Sequence, residues 1–312
     1  MAANNLTGDE MQIRTFQELV CSPSFTVRLQ QPSIYLAMVN LFFTLTAILG
    51  NSLILLALCK ESSLHPPSKL LYRKLPTTDL LVGLVTQPLS ATYQISSVYK
   101  HWNICRYARG VGYLTSYGLC GVSLLTMTVI SVDRLLALLL GLRYRQIVTL
   151  KRTYIILTTV WVFSAVAALS YVLNQRIAFW FLYITVPVCL AISIISYTKI
   201  FLSLRYHKAQ VRQQSSQPNS LNILRYRKAV YSALWVQLAL VVCYAPYFIV
   251  ESLTARRKAL SSYLVVIRGI VVALLYFNST LNPFLYCWKI SDVRKAAKQT
   301  IRQALSCTCP CS

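Results

Sequence analysis

The amino-acid sequence predicts an all-α membrane protein, a seven-transmembrane-helix bundle followed by a short amphipathic cytoplasmic helix. Three observations carry this reading. The 312 residues are 56% hydrophobic and only 12% charged, with a mean hydropathy of +0.53, where a soluble domain carries about 25% charge. Seven charge-free runs of about 20 residues or more follow one another, each long enough as a helix to cross roughly 30 Å of hydrocarbon. The net charge of +23 sits in the short segments between those runs, so it reads as membrane topology and not as a nucleic-acid surface.

The runs cover residues 29–59, 80–99, 110–132, 153–175, 177–198, 229–250 and 269–288. The second helix should begin near Leu75, which places Asp79 inside it. An odd number of spans puts the two termini on opposite sides. With the N-terminus outside, the inner segments hold 19 Lys and Arg against 10 in the outer ones. Basic residues favour the cytoplasmic side, so the expected topology is multi-pass in the plasma membrane, N-terminus extracellular and C-terminus cytoplasmic. The sequon Asn5-Leu6-Thr7 agrees, making Asn5 a glycosylation acceptor. No cleavable signal peptide is visible in the polar first 28 residues. The chain divides into an extracellular tail (1–32), the bundle (33–288) and a basic amphipathic helix with a Cys-rich tail (289–312).

Helix one carries Gly50-Asn51, a buried amide in apolar surroundings. Helix two carries Asp79 and then Pro88, which should kink it. An unpaired carboxylate at that depth is costly, so Asp79 is either protonated or holds a cation. Ser123, Asn278, Ser279 and Asn282 are the donors that could share it, with Asn278 and Asn282 at i, i+4 on one face. Hard oxygens suit Na⁺ or water and not a transition metal; both readings stay open. Helix three sets Ser116, Ser123 and Arg134 near whole helical turns apart, so all three should face one way at three depths.

Helix four holds Trp161 as packing, and Arg176 is the only residue between the fourth and fifth charge-free runs. Helix five holds Pro187 and Tyr197. Helix six contains Cys243-Tyr244-Ala245-Pro246-Tyr247, where Pro246 removes a helix hydrogen bond and makes a hinge. Beyond the N-terminal tail, Glu251 is the only acid on the outer half; it is either a ligand contact or the partner of Arg256, Arg257 or Arg268. Helix seven closes with Asn282-Pro283-Phe284-Leu285-Tyr286. Cys21 and Cys105 are the two cysteines on the oxidising side and are candidates for a bridge. Cys307, Cys309 and Cys311 lie beside the basic amphipathic segment, where palmitoylation is expected; no His, Asp or Glu set completes a zinc site there.

These landmarks together resemble the rhodopsin-like (class A) G-protein-coupled receptors over about residues 33–305. The resemblance rests on Gly50-Asn51, Asp79, Asp133-Arg134-Leu135, Trp161, Cys243-Tyr244-Ala245-Pro246 and Asn282-Pro283-Phe284-Leu285-Tyr286, in that order on seven spans. It implies that Asp133 and Arg134 form an inner charged switch, that Tyr197 and Tyr286 swing in to support it, and that Asp79, Ser123, Asn278, Ser279 and Asn282 form an allosteric sodium pocket. Tyr244 and Pro246 would be the sixth-helix toggle and hinge, and Pro283 the seventh-helix proline. Several departures stand out. Leu135 replaces the family's tyrosine after the Asp-Arg pair, and Tyr244 replaces the usual tryptophan before Pro246. Tyr226 stands where an acid would lock Arg134 across helices, so appreciable basal signalling is expected. Pro187 lies ten residues before Tyr197 instead of eight, which sets Cys189 at the usual proline position. Arg109 occupies the family's bridging-cysteine position. The very short second outer loop is similar to the melanocortin, adenosine, cannabinoid and lysophospholipid cluster. Leu89, Arg109 and Tyr113 stand where melanocortin receptors place acids, which argues against a basic peptide.

The expected function is a receptor that turns binding of an extracellular small ligand or peptide into activation of a heterotrimeric G-protein, with membrane lipids and no nucleic acid as further partners. Ser116 stands where amine receptors carry an aspartate, and no lysine precedes Lys289 in helix seven to hold retinal. The remaining pocket set is Tyr113, Ser116, Tyr117, Tyr247, Glu251, Arg268 and Tyr276, whose aromatic walls suit a small peptide, lipid or nucleoside-like ligand. The alternatives are a constitutively active or non-coupling receptor, or a transporter. A transporter asks for a chain of buried ionisable groups or repeated broken helices, and only Asp79 lies at depth. An enzyme is not expected: His65, His101 and His207 all lie in loops, away from any nucleophile–base pair. No cofactor beyond the allosteric Na⁺ is expected.

Overall fold

In a computed structural model, residues 20–60, 65–214, 235, 238–254 and 261–289 are described. Asn5, Tyr226, Arg256, Arg257, Cys307, Cys309, Cys311 and the amphipathic segment beyond Lys289 lie outside them, as do the side chains of residues 285–289, Tyr286 included. The secondary structure described is helical throughout. Among the described residues, five helices are long and apolar enough to cross a bilayer, and Leu238–Thr254 is a shorter apolar one.

Helix α1 runs Pro23–Lys60, with Pro32 inside it. Helix α2 has three parts: Pro66–Leu81, a π-helical turn Val82–Thr86, and Gln87–Val98. The π-turn is the local answer to Pro88, whose missing N–H and ring would otherwise clash with the carbonyl one turn back. The expected kink is thus a bulge placed just before the proline. Helix α3, Trp102–Leu140, stops at Gly141, whose φ of +49° suits a residue without Cβ. A one-turn helix, Tyr144–Ile147, leads to α4, Leu150–Leu173, capped by the Thr149 hydroxyl accepting from the Arg152 N–H.

Helix α5, Gln175–Gln214, follows after one residue. That link is Asn174, not Arg176, which already sits in the first turn of α5 with its N–H donated to Asn174 Oδ1 at 2.9 Å. Helices α6, Leu238–Thr254, and α7, Ser262–Lys289, complete the bundle, with Pro283 inside α7.

Helix α3 is the hub, packed on α2, α4 and α5 and joined to α6 through the core. Leu124, Met127, Ile130, Leu240, Tyr244 and Leu275 fill that core. The opposite faces are apolar too. Phe42, Leu49, Val172 and Ile184 are exposed, as a lipid-facing surface requires where every backbone group is already satisfied within a helix. Helices α1 and α7 approach closely: a Cβ on Gly50 would lie 2.8 Å from Pro283 Cγ. Asn51 fastens the same contact, donating to Ser279 O at 3.0 Å. Cys21 and Cys105 are disulfide-bonded, pinning the start of α1 to α3, and their end of the bundle is the bridge end below.

Candidate functional site

Three polar layers stack along α3 from the bridge end to Arg134. In the first, Arg268 of α7 donates through Nε to Glu251 Oε1 at 2.7 Å and through Nη2 to Oε2 at 2.8 Å, joining α7 to α6. Glu251 is buried, to 1% exposure, and the Arg268 side chain is 15% exposed. The Arg268 guanidinium also lies over the Tyr113 ring of α3 at 4.9 Å. Arg109 faces Tyr113 at 5.6 Å and Tyr93 of α2 at 5.4 Å, donating to the Tyr93 hydroxyl at 3.3 Å. Tyr171 of α4 stacks on Tyr113 and on Tyr117. Cation–π and aromatic contacts of this kind tie α2, α3, α4, α6 and α7 into one lid.

Beneath the lid is a cavity of about 70 Å³ between α3, α4, α5, α6 and α7. Ser116, Tyr117 and Tyr247, expected in the pocket, line it; Tyr113, Glu251 and Arg268 form the lid instead. Tyr276 is buried away from the cavity, its carbonyl accepting from Gln87 Nε2 at 3.4 Å. The cause is pairing: Glu251 and Arg268 neutralise one another, and a paired, buried charge does not project into an apolar space. The Tyr244 hydroxyl, also at the cavity, donates to the Cys120 carbonyl of α3 at 3.2 Å.

The second layer centres on Asp79, fully buried in α2. Its Oδ1 accepts from Ser123 at 3.2 Å and Ser279 at 2.9 Å, and its Oδ2 from Asn282 Nδ2 at 2.7 Å. Asn278 departs from expectation: its amide donates to Met127 Sδ at 3.6 Å instead of to Asp79. Its Oδ1 is buried without a partner among the described residues. A carboxylate, two hydroxyls and a spare amide oxygen form a hard-oxygen set that fits a small alkali cation.

The third layer lies at the far end of α3. Arg134 is paired with Asp133, its Nε 3.0 Å from Oδ2, and donates to Ser68 Oγ at 2.6 Å. It also lies over the Tyr72 ring at 5.3 Å. The Tyr144 hydroxyl donates to Asp133 Oδ1 at 2.5 Å, and Ser68 shares the cluster. Tyr197 is buried on α5, its hydroxyl unpartnered among the described residues. Pro246 lies inside α6. Ser68 and Tyr144 escaped the sequence reading because neither carries a motif. The only hint is that Tyr144 begins the helical turn that follows the stop at Gly141.

A family model described as 7 transmembrane receptor (rhodopsin family) matches residues 50–177. The histamine H2 receptor of Rattus norvegicus is 28% identical over 280 residues, covering 82% of this chain and 76% of the relative. That of Canis lupus familiaris is 29% identical, covering 83% and 77%. Melanocortin receptor 5 of Homo sapiens is 25% identical, covering 84% and 83%.

Proposed function

From the premise that this chain belongs to the rhodopsin-like family and is a G-protein-coupled receptor, we propose that it rests in the closed arrangement just described and signals when the Asp133–Arg134 cluster opens. The N-terminus and bridge end lie outside and the Arg134 end faces the cytosol, as the excess of basic residues in the cytosolic segments supports. The single observation that carries the reading is the tethering of Arg134 by Asp133, Ser68 and the Tyr72 ring. In that state its guanidinium is committed to the receptor's own residues. Movement of α6 about Pro246 would be the step that frees it for the G-protein, with Tyr197 and Tyr286 turning in.

The Asp79 layer is the allosteric element. Bound Na⁺ would be held by the Asp79 carboxylate with the Ser123, Ser279 and Asn278 oxygens, Asn282 steadying the carboxylate. The residues themselves join α2, α3 and α7, so whatever strengthens that junction favours the resting state. A histamine-like amine finds no carboxylate at Ser116, and the nearby acid, Glu251, is taken by Arg268. Asn5 is proposed to be glycosylated and Cys307, Cys309 and Cys311 palmitoylated. The test is guanine-nucleotide exchange on a purified heterotrimer by the receptor in nanodiscs. Wild type should catalyse measurable basal exchange and Arg134→Ala should not; equal exchange by the two would remove Arg134 from the switch.

A further inference from the structure

The cavity is built for one kind of ligand and is reached most easily from one direction. On the bridge side it is roofed by Tyr117 and Tyr247, then by Tyr113 and Tyr171, then by the Arg268–Glu251 pair. Entry there means separating a two-bond ion pair and a cation–π stack. The lateral wall is different. It consists of Phe163 on α4 and Phe181 on α5, in edge contact with centroids 5.3 Å apart. Phe163 is 38% exposed on the lipid-facing surface, so rotating two apolar rings opens the wall without breaking a polar contact. Helices α4 and α5 are linked by Asn174 alone, which leaves no loop to lie across the seam.

Among the described residues no charged side chain lines the cavity. It does offer hydroxyls: Ser116, Tyr117, Ser164, Thr185 and Tyr247. Ser164 is the telling one, buried to 2% exposure with its Oγ unpartnered among the described residues. An orphaned buried hydroxyl at a cavity wall is a hydrogen bond waiting for a ligand atom. A charged ligand would be buried there without a counter-ion. The cavity volume of about 70 Å³ is well below the roughly 150 Å³ that accepts a benzene ring, so a ligand of that size must displace a wall, and the Phe163–Phe181 wall yields without breaking a polar contact.

We propose that the ligand of this receptor is a neutral lipophilic molecule bearing a hydrogen-bonding group, which enters from the bilayer through the α4–α5 seam between Phe163 and Phe181 and bonds Ser164. This rests on the receptor reading of the same cavity. The test uses the full chain in nanodiscs and two photoactivated carbene probes: a neutral trifluoromethyl-phenyl diazirine dissolved in the bilayer, and a membrane-impermeant sulfonated analogue in the water. Labelling is mapped by mass spectrometry onto Leu124, Tyr244 and Tyr247, which line the cavity and are shielded from lipid.

The bilayer probe should label these residues and the aqueous probe should give only background. Phe163→Ala should raise bilayer-probe labelling several-fold, and Phe181→Ala, on the opposite wall, is the second variant should the first fail to fold. Ala167→Phe, which fills the cavity, should abolish labelling at Leu124 while leaving lipid-facing Phe42 labelled. Aqueous labelling equal to bilayer labelling in wild type, or wall variants that leave bilayer labelling unchanged, would overturn the proposal. Probe entry needs no G-protein. Labelling as expected without nucleotide exchange would sink the receptor reading alone, and exchange without cavity labelling would sink this one alone.

Discussion

Tyr244→Phe isolates the contact between the cavity and the moving part of α6. The Tyr244 hydroxyl donates to the Cys120 carbonyl at 3.2 Å. That carbonyl lies within unbroken α3, where it keeps its helical partner, the Leu124 N–H. Removing the hydroxyl therefore orphans nothing on α3, and the loss is one net hydrogen bond, about 0.5–1.5 kcal/mol. Tyr244 is two residues before Pro246, on the segment proposed above to swing when Arg134 is released. If the bond exists only in the resting arrangement, its loss raises the ratio of signalling to resting receptor by roughly 2- to 13-fold.

The readout is basal guanine-nucleotide exchange on a purified heterotrimer, per folded receptor, in potassium buffer. While the signalling fraction is small, exchange should rise by the same factor as that ratio. Tyr35→Phe is the control, because it trims the hydroxyl of an exposed α1 tyrosine and leaves the α3–α6 contact intact. Basal exchange by Tyr244→Phe at or below the wild-type rate, with Tyr35→Phe unchanged, would refute the reasoning.

Replacing K⁺ by Na⁺ at constant ionic strength should lower wild-type basal exchange, and Asp79→Asn should abolish that dependence, since it removes the charge on which Ser123, Ser279 and Asn282 converge. Glu251→Gln leaves the part-buried Arg268 cation without its counter-charge and should destabilise the receptor by about 1–3 kcal/mol in detergent unfolding. The double variant Glu251→Leu/Arg268→Leu should recover most of that loss. Gly50→Ala drives a methyl into the Pro283 ring, which has no flexible end to move aside. Overpacking of that kind costs about 1–3 kcal/mol, measurable as a lower thermal midpoint.

The seven spans were legible because a charge-free run has one physical solution in a bilayer, and the polar residues of α3 could be placed on one face because helical period is rigid. What stayed hidden depended on side-chain choice. Both readings of Glu251 were open until the Arg268 fork closed on it, since sequence cannot say which of several arginines reaches an acid. Asn278 shares a face with Asn282, yet its amide turns to Met127, because sharing a face does not fix a terminal torsion. The π-turn before Pro88 and the Tyr244–Cys120 bond involve backbone groups, which carry no residue code. Tyr144 reaches Asp133 only because α3 stops at Gly141 and the next turn folds back.

The distribution of these contacts around α3 says which side of the bundle should move. Toward α2 and α7, α3 is held by the Asp79 cluster, and α1 and α7 are locked at Gly50–Pro283 and Asn51–Ser279. Toward α4, α5 and α6 the contacts below the lid among the described residues are mostly apolar, crossed by the Tyr244 hydroxyl bond and a Thr128–Cys189 contact, and they surround a void. Dispersion contacts re-form at a neighbouring packing more readily than buried charge networks, which have one satisfied geometry. A ligand filling the void therefore meets a fixed wall on one side and a deformable one on the other. Its binding energy is expressed as displacement of α5 and α6, the helices that carry Tyr197 and Pro246.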